Sequence, residues 1–260
     1  MPMVIVNKTP RALTRRCGLC LKMGAASLLL LLLLGYVGST RAFQSDPDQS
    51  SILAAYNAAI YDAAVYKFSN LRPLKPLEFD STKAVSVVTL TNSNYKLGKT
   101  KLSGDVWVTA VPEVRDVCRG FSNDLEQRLR QLLGLHPSEK FTNFVVMRVK
   151  EKEIFRPTAN PDPTTKLPCS SPAPANCGEA FPVGVGKAHV QWLANQMLNS
   201  YMISESYLIP MGYPWTRLGY TYNWRPGANK YGASEYVIRK DSTVTVTETV
   251  PYKKYCSRTQ

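Results

Sequence analysis

The chemistry on offer in this sequence sits in two histidines, a set of cysteines and one aromatic tract. His189 is the first candidate for acid–base work, because imidazole titrates near neutrality. It stands near the start of a helical stretch, behind Gly184-Val185-Gly186. As a base it would need a serine or cysteine brought close in space as nucleophile. The sequence holds no Gly-x-Ser-x-Gly and no His-Glu-x-x-His. The plainer reading of His189 is a helix residue making one hydrogen bond. His136, between Gly134 and Pro137, reads as a helix-end residue. Gly184-Val185-Gly186-Lys187 lacks the spacing with which a phosphate loop aims its amides. Glu151, Glu153 and Asp162 are the acids that a carboxylate pair would draw on, but the first two belong to a charged, solvated strand end.

The cysteines divide into two groups. Cys17 and Cys20 lie in the N-terminal leader, where their spacing is incidental. Cys118, Cys169, Cys177 and Cys256 follow it, and four cysteines allow three disulfide connectivities. The expected pairs are Cys169 with Cys177 and Cys118 with Cys256. The first closes a short Pro-rich loop with little other order. The second ties the central helix to the C-terminal tail across a long loop, where chain entropy gains most. Zinc is the rival reading, but no Cys-x-x-Cys pairs accompany these four. No metal and no cofactor is expected.

The densest unusual tract is residues 211–224. Tyr220, Tyr222 and Trp224 alternate at strand spacing, so they project from one face, with Leu218 continuing it. Exposed, such rings stack on sugars or polymers, and Arg217 adds a hydrogen-bonding fork. Buried, they are core. Core is the expected state, because three large exposed rings invite aggregation.

The elements that would position these residues follow from periodicity. Asp46-Pro47 enters a helix rich in Ala and Tyr, with Ile52, Tyr56, Ala59, Ala63 and Tyr66 on one face. Prolines 73 and 76 stiffen the exit. Strands are predicted at 85–91, 106–111 and 144–149. Between the last two, Pro112-Glu113 opens a helix with an apolar stripe from Val114 to Leu132, interrupted near Gly120 and capped by Gly134. That order is a β-α-β unit, which implies a crossover between parallel strands. Residues 156–184 carry seven prolines and read as a surface loop. A helix over 187–203 follows. Strands are predicted at 218–224, 234–239 and 243–250, the last two forming a hairpin around Lys240-Asp241-Ser242.

Five basic residues, Lys8, Arg11, Arg15, Arg16 and Lys22, precede an apolar run over 23–38 that holds seven consecutive leucines. This is the signature of an export signal. Thr40 and Ala42 suit cleavage before Phe43, and Val37 and Ser39 offer a second site. Uncleaved, the run is an N-terminal membrane anchor, although it is short of the roughly 20 residues a span needs. Thr14-Arg15-Arg16 echoes a twin-arginine signal, but Gly18 stands where that signal carries a large apolar residue. Residues 1–42 hold six of the 32 basic residues and none of the 19 acidic ones, which leaves a net +7 on the rest. That charge suits an anionic surface. It is not clustered as nucleic-acid binding requires, and no nucleic-acid partner is expected.

Four pieces, Trp107-Val-Thr-Ala-Val-Pro, Arg130-Gln-Leu-Leu-Gly-Leu, Phe155-Arg-Pro and Pro214-Trp-Thr-Arg-Leu-Gly-Tyr-Thr-Tyr, make the chain similar to exported bacterial proteins of unassigned function. The resemblance implies a single exported domain and carries no activity or site residue. The expected organisation is a leader over 1–42, a helix within 43–71 and one domain over 72–256. Its expected class is α+β: a mixed sheet with a β-α-β unit, two to three helices, a C-terminal hairpin and two disulfides. The expected function is an exported envelope or secreted binding protein, without catalysis, for an unidentified envelope ligand or protein. A hydrolase using His189 and a structural subunit of an envelope assembly are the alternatives. Membrane contact is expected only through residues 23–38, if they are retained.

Overall fold

Helix α1 (Pro47–Ala64) carries its proline in the first turn, where a missing N–H costs nothing. A computed structural model describes residues 47–257; the leader, its leucine run, Cys17 and Cys20 lie outside the described residues. Tyr56, Ala59 and Ala63 of the predicted stripe are buried, joined by Ile60, and all four pack on Tyr222 and Trp224. The Arg217 guanidinium donates to the Ala64 carbonyl at 2.8 Å and so closes the helix C-terminus.

Nine strands follow among the described residues: β1 (Ala84–Thr91), β2 (Gly98–Lys101), β3 (Val106–Ala110), β4 (Asn143–Lys150), β5 (Ile154–Phe155), β6 (Tyr220–Tyr222), β7 (Tyr231–Ser234), β8 (Tyr236–Ile238) and β9 (Thr243–Pro251). Seven form one sheet in the order β2-β9-β4-β1-β3-β8-β5, and β6 and β7 form a small second sheet. Every pairing is antiparallel, so the expected mixed sheet is corrected to an antiparallel one. The β-α-β expectation changes in the same way. Strands β3 and β4 each pair antiparallel with β1, so they share a direction, but β1 lies between them.

The expected C-terminal hairpin is absent, for a definite reason. Gly98↔Val246 and Lys101↔Thr243 pair β2 with β9, while Val106↔Ile238 and Val108↔Tyr236 pair β3 with β8. These partners lie on one continuous register, with four residues between the paired stretches on each side. The backbone bonds Leu102 N–H to Ser242 O and Asp241 N–H to Leu102 O carry the ladder through. Residues 98–110 and 236–251 are therefore two long strands that bend together at 102–105 and 239–242. The polar stretch at 240–242 is a corner, not a hairpin turn. Since β1 pairs with both β3 and β4, and β4 with β9, the pairing closes on itself.

The inner face of this curl holds Val87, Val106, Val108, Met147, Val149, Tyr236, Ile238, Val244 and Val246. The outer face holds Val88, Leu90, Phe144, Val146 and Val250. Val250 reaches that outer layer because a bulge opposite Val146/Met147 shifts the register of β9, and one extra residue reverses which face the following side chains take.

Among the described residues five α-helices stand where two or three were expected. The central one is two, α2 (Glu113–Cys118) and α3 (Leu125–Leu132), broken at Gly120. Helix α4 (Lys187–Ser200) buries His189, Leu193, Gln196 and Ser200, and the four-residue α5 (Tyr252–Tyr255) ends the fold. Gly134 follows α3 at φ +68°, the left-handed conformation glycine supplies at a helix end. Both predicted disulfides are present, Cys118–Cys256 and Cys169–Cys177. Two intramolecular disulfides are characteristic of the oxidising environment that exported chains meet. Among the described residues no helix is long and apolar enough to cross a membrane.

Candidate functional site

His189 is buried at the first turn of α4. Its Nε2 lies 2.7 Å from the Thr158 carbonyl. A carbonyl only accepts, so Nε2 carries the proton and Nδ1 holds the lone pair. Burial pushes the imidazole below its usual range, opposed by the Thr158 bond and assisted by Arg239. The ring lies parallel to Trp192 and edge-on to Phe155. Among the described residues no hydrogen bond joins it to a serine or a carboxylate. The bond it makes has structural sense. Residues 156–159 run irregularly and are buried, so their carbonyls need donors. Arg156, fully buried in the same stretch, donates instead to carbonyls of the segments packed around it: Nη1 to Gly219 O at 3.3 Å, and Nη2 to Lys75 O at 2.8 Å and Pro163 O at 3.2 Å. The Pro-rich stretch, expected as a surface loop, thus starts inside the protein.

Tyr220, Tyr222 and Trp224 are also buried, at 7, 7 and 3% exposure, a state in which their ring faces meet protein and not solvent. Tyr222 and Trp224 pack against α1, and Tyr220 with Leu218 against Leu74. Arg217 is 2% exposed and is engaged by Glu179 at 3.2 Å as well as by Ala64. Tyr222 Oη donates to Asp62, which also receives Lys67 and Lys230. Burial raises the Asp62 pKa, but these bonds outweigh it and hold the carboxyl at about 2.

The arrangement with unspent chemistry lies elsewhere. Between the outer sheet face and the Gly134 loop is a cavity of about 70 Å³. Its apolar wall includes Val88, Leu90 and Phe144, and its aromatic wall Trp107 and Tyr213. Glu235 lines it from the single step between β7 and β8, where its backbone N–H bonds Gly219 O at 3.0 Å. Three lining residues carry a buried polar atom that makes no close hydrogen bond, Glu235 Oε2, Thr109 Oγ1 and Trp107 Nε1, with the Trp215 indole the nearest donor to Glu235. Burial pushes Glu235 up to about 8, with the Trp215 indole and Arg156 pulling the other way. Trp107 also joins Trp192, Tyr213 and Trp215 in one ring cluster.

Sequence reading missed Glu235. The signal was a lone acid inside Ala233-Ser-Glu-Tyr-Val-Ile238, a run predicted to be a strand and so to need a reason for a charge. Among the described residues no group of three or more His, Cys, Asp or Glu could hold a metal ion. No protein-family model matches the chain, and searches of curated proteins and of solved structures likewise return no match.

Proposed function

We propose that this is an exported, disulfide-clamped binding protein that holds a small ligand in the cavity beside Glu235. The observation that carries this reading is that three residues lining one small, largely apolar cavity each carry a buried polar atom without a hydrogen-bond partner. An unpaired buried carboxyl costs stability, and a site that keeps one is a functional-site candidate. The hydrolase reading has less support, since among the described residues no serine, cysteine or acid is hydrogen-bonded to the His189 Nδ1 lone pair. The test is a fragment screen by saturation-transfer NMR on the oxidised protein. Hits that lose binding in both Glu235→Gln and Thr109→Val support the reading. Hits that bind both variants as well as the parent refute it.

The assembly alternative has one specific observation. Tyr61, Val65 and Phe68, on and just after the last turn of α1, are 66, 60 and 59% exposed. Pairing with a second copy through this edge would show in sedimentation as a concentration-dependent dimer that Val65→Asp abolishes.

A further inference from the structure

The Glu235 cavity has a donor–acceptor pattern specific enough to name a ligand class, and this step rests on the reading just given. Glu235 Oε2 and Thr109 Oγ1 can both accept; Trp107 Nε1 can only donate. The complementary guest therefore carries a donor-rich group at one end and an acceptor at the other. No Lys, Arg or His lines the cavity to balance a carboxylate. Arg156, the cation that acts on Glu235, already donates to the carbonyls of Gly219, Lys75 and Pro163 and to Tyr236 Oη. Size sets the last limit. A cavity of about 150 Å³ holds benzene, and this one is less than half as large. Benzene has six non-hydrogen atoms, so the guest here is limited to about three to four.

We propose that the cavity binds a 2-aminoethanol unit, its ammonium on Glu235 and Thr109 and its oxygen accepting from the Trp107 indole N–H. The ammonium supplies the counter-charge that Glu235 lacks, in surroundings where an ion pair is stronger than in water. A diol of the same size supplies no charge and leaves the carboxyl to make a single neutral hydrogen bond. The same unit occurs free and as the headgroup of an ethanolamine lipid, where its oxygen is esterified but still accepts.

The test uses the oxidised full-length chain and three probes: ethanolamine hydrochloride, ethylene glycol, and vesicles of phosphatidylcholine with and without phosphatidylethanolamine. At a hundredfold excess over its dissociation constant, ethanolamine should raise the unfolding temperature by about 5–10 °C. Ethylene glycol at the same concentration should not. Glu235→Gln should weaken ethanolamine binding at least tenfold, and Thr109→Val, which keeps the carboxyl, should weaken it less. Binding to vesicles only when they contain phosphatidylethanolamine, with no effect of free ethanolamine, assigns the headgroup as the source. Stabilisation by ethylene glycol that depends on Glu235, with none by ethanolamine, overturns the amine assignment and leaves the binding-protein reading standing. No response to any probe, together with fragment hits indifferent to Glu235 and Thr109, overturns both.

Discussion

Trp224 shows what a single residue of the aromatic tract does. A helix leaves its last four carbonyls without intrahelical partners. In α3 those of Arg130, Gln131 and Leu132 are met largely from the tract. The Trp224 indole donates to Arg130 O at 3.1 Å, the Trp224 backbone to Gln131 O at 3.2 Å, and Thr221 Oγ1 to Leu132 O at 2.7 Å. The same indole stands edge-on to Tyr56 at 5.5 Å, so it fastens α1 as well. Replacing Trp224 by Ala should cost roughly 3–5 kcal/mol. Trp224→Phe keeps much of the packing and loses the indole donor, and should cost about 1–2 kcal/mol. Urea titrations of the two variants check this. A Trp224→Ala protein as stable as the parent would show that the ring is not the fastening described.

At the scale of elements, the two disulfides act on different parts of the chain. Cys118–Cys256 joins residues 138 apart and binds the end of α2 to the residue after α5. Cys169–Cys177 joins residues 8 apart inside the Pro-rich stretch. In the chain-entropy model, removing the first with Cys118→Ser and Cys256→Ser should cost about 5 kcal/mol. Removing the second should cost about 2.5 kcal/mol. Chemical denaturation of each double mutant measures the order, and equal losses would speak against loop length as the cause. Both pairings were legible in the sequence because each cysteine had an evident structural task. The long elements were legible too: α1, β1, β4 and β9 declare themselves by apolar periodicity. Strand β2 was not. It is four residues long, with Lys99 and Lys101 exposed along an edge that β9 alone pairs, a composition that keeps edges from joining but hides the strand. The corner at 239–242 was misread because a polar tripeptide between two strands fits a hairpin equally well. Only the partner stretch at 102–105 decides between them. Glu235 escaped for a related reason: its isolation depends on residues from β1, β3 and the Gly134 loop, which no local window contains.

For the whole molecule, the buried titratable groups set opposing limits on stability. Glu235, raised by burial from 4.5 to about 8, keeps its proton in the folded protein where the unfolded chain has lost it. Its contribution is complete below pH 4.5 and is lost as pH rises through 8. His136 acts in the other direction. Burial and Arg130 lower it from 6.5 to about 4, and its Nδ1 accepts from the Ser138 backbone at 3.1 Å. The unfolded chain takes up that proton first, so stability is lost as pH falls below 6.5. His189, also lowered, adds to this acid limb. Up to pH 6.5 the two histidines raise stability with pH, against Glu235 and Glu139, both raised by burial, and above 6.5 Glu235 brings it down. Stability should therefore peak near pH 6.5 and fall by about 1 kcal/mol by pH 8, the Glu235 loss being partly offset by the end of the histidine titration. Glu235→Gln has no proton to lose, so its stability should climb more steeply than the parent's up to pH 6.5 and show no decline above it. Urea unfolding of both proteins at pH 5, 6.5 and 8 reads the difference directly. A parent and a variant that decline in parallel above pH 6.5 would mean that Glu235 does not enter the folded state protonated, and the cavity would then hold a carboxylate already balanced from within the protein.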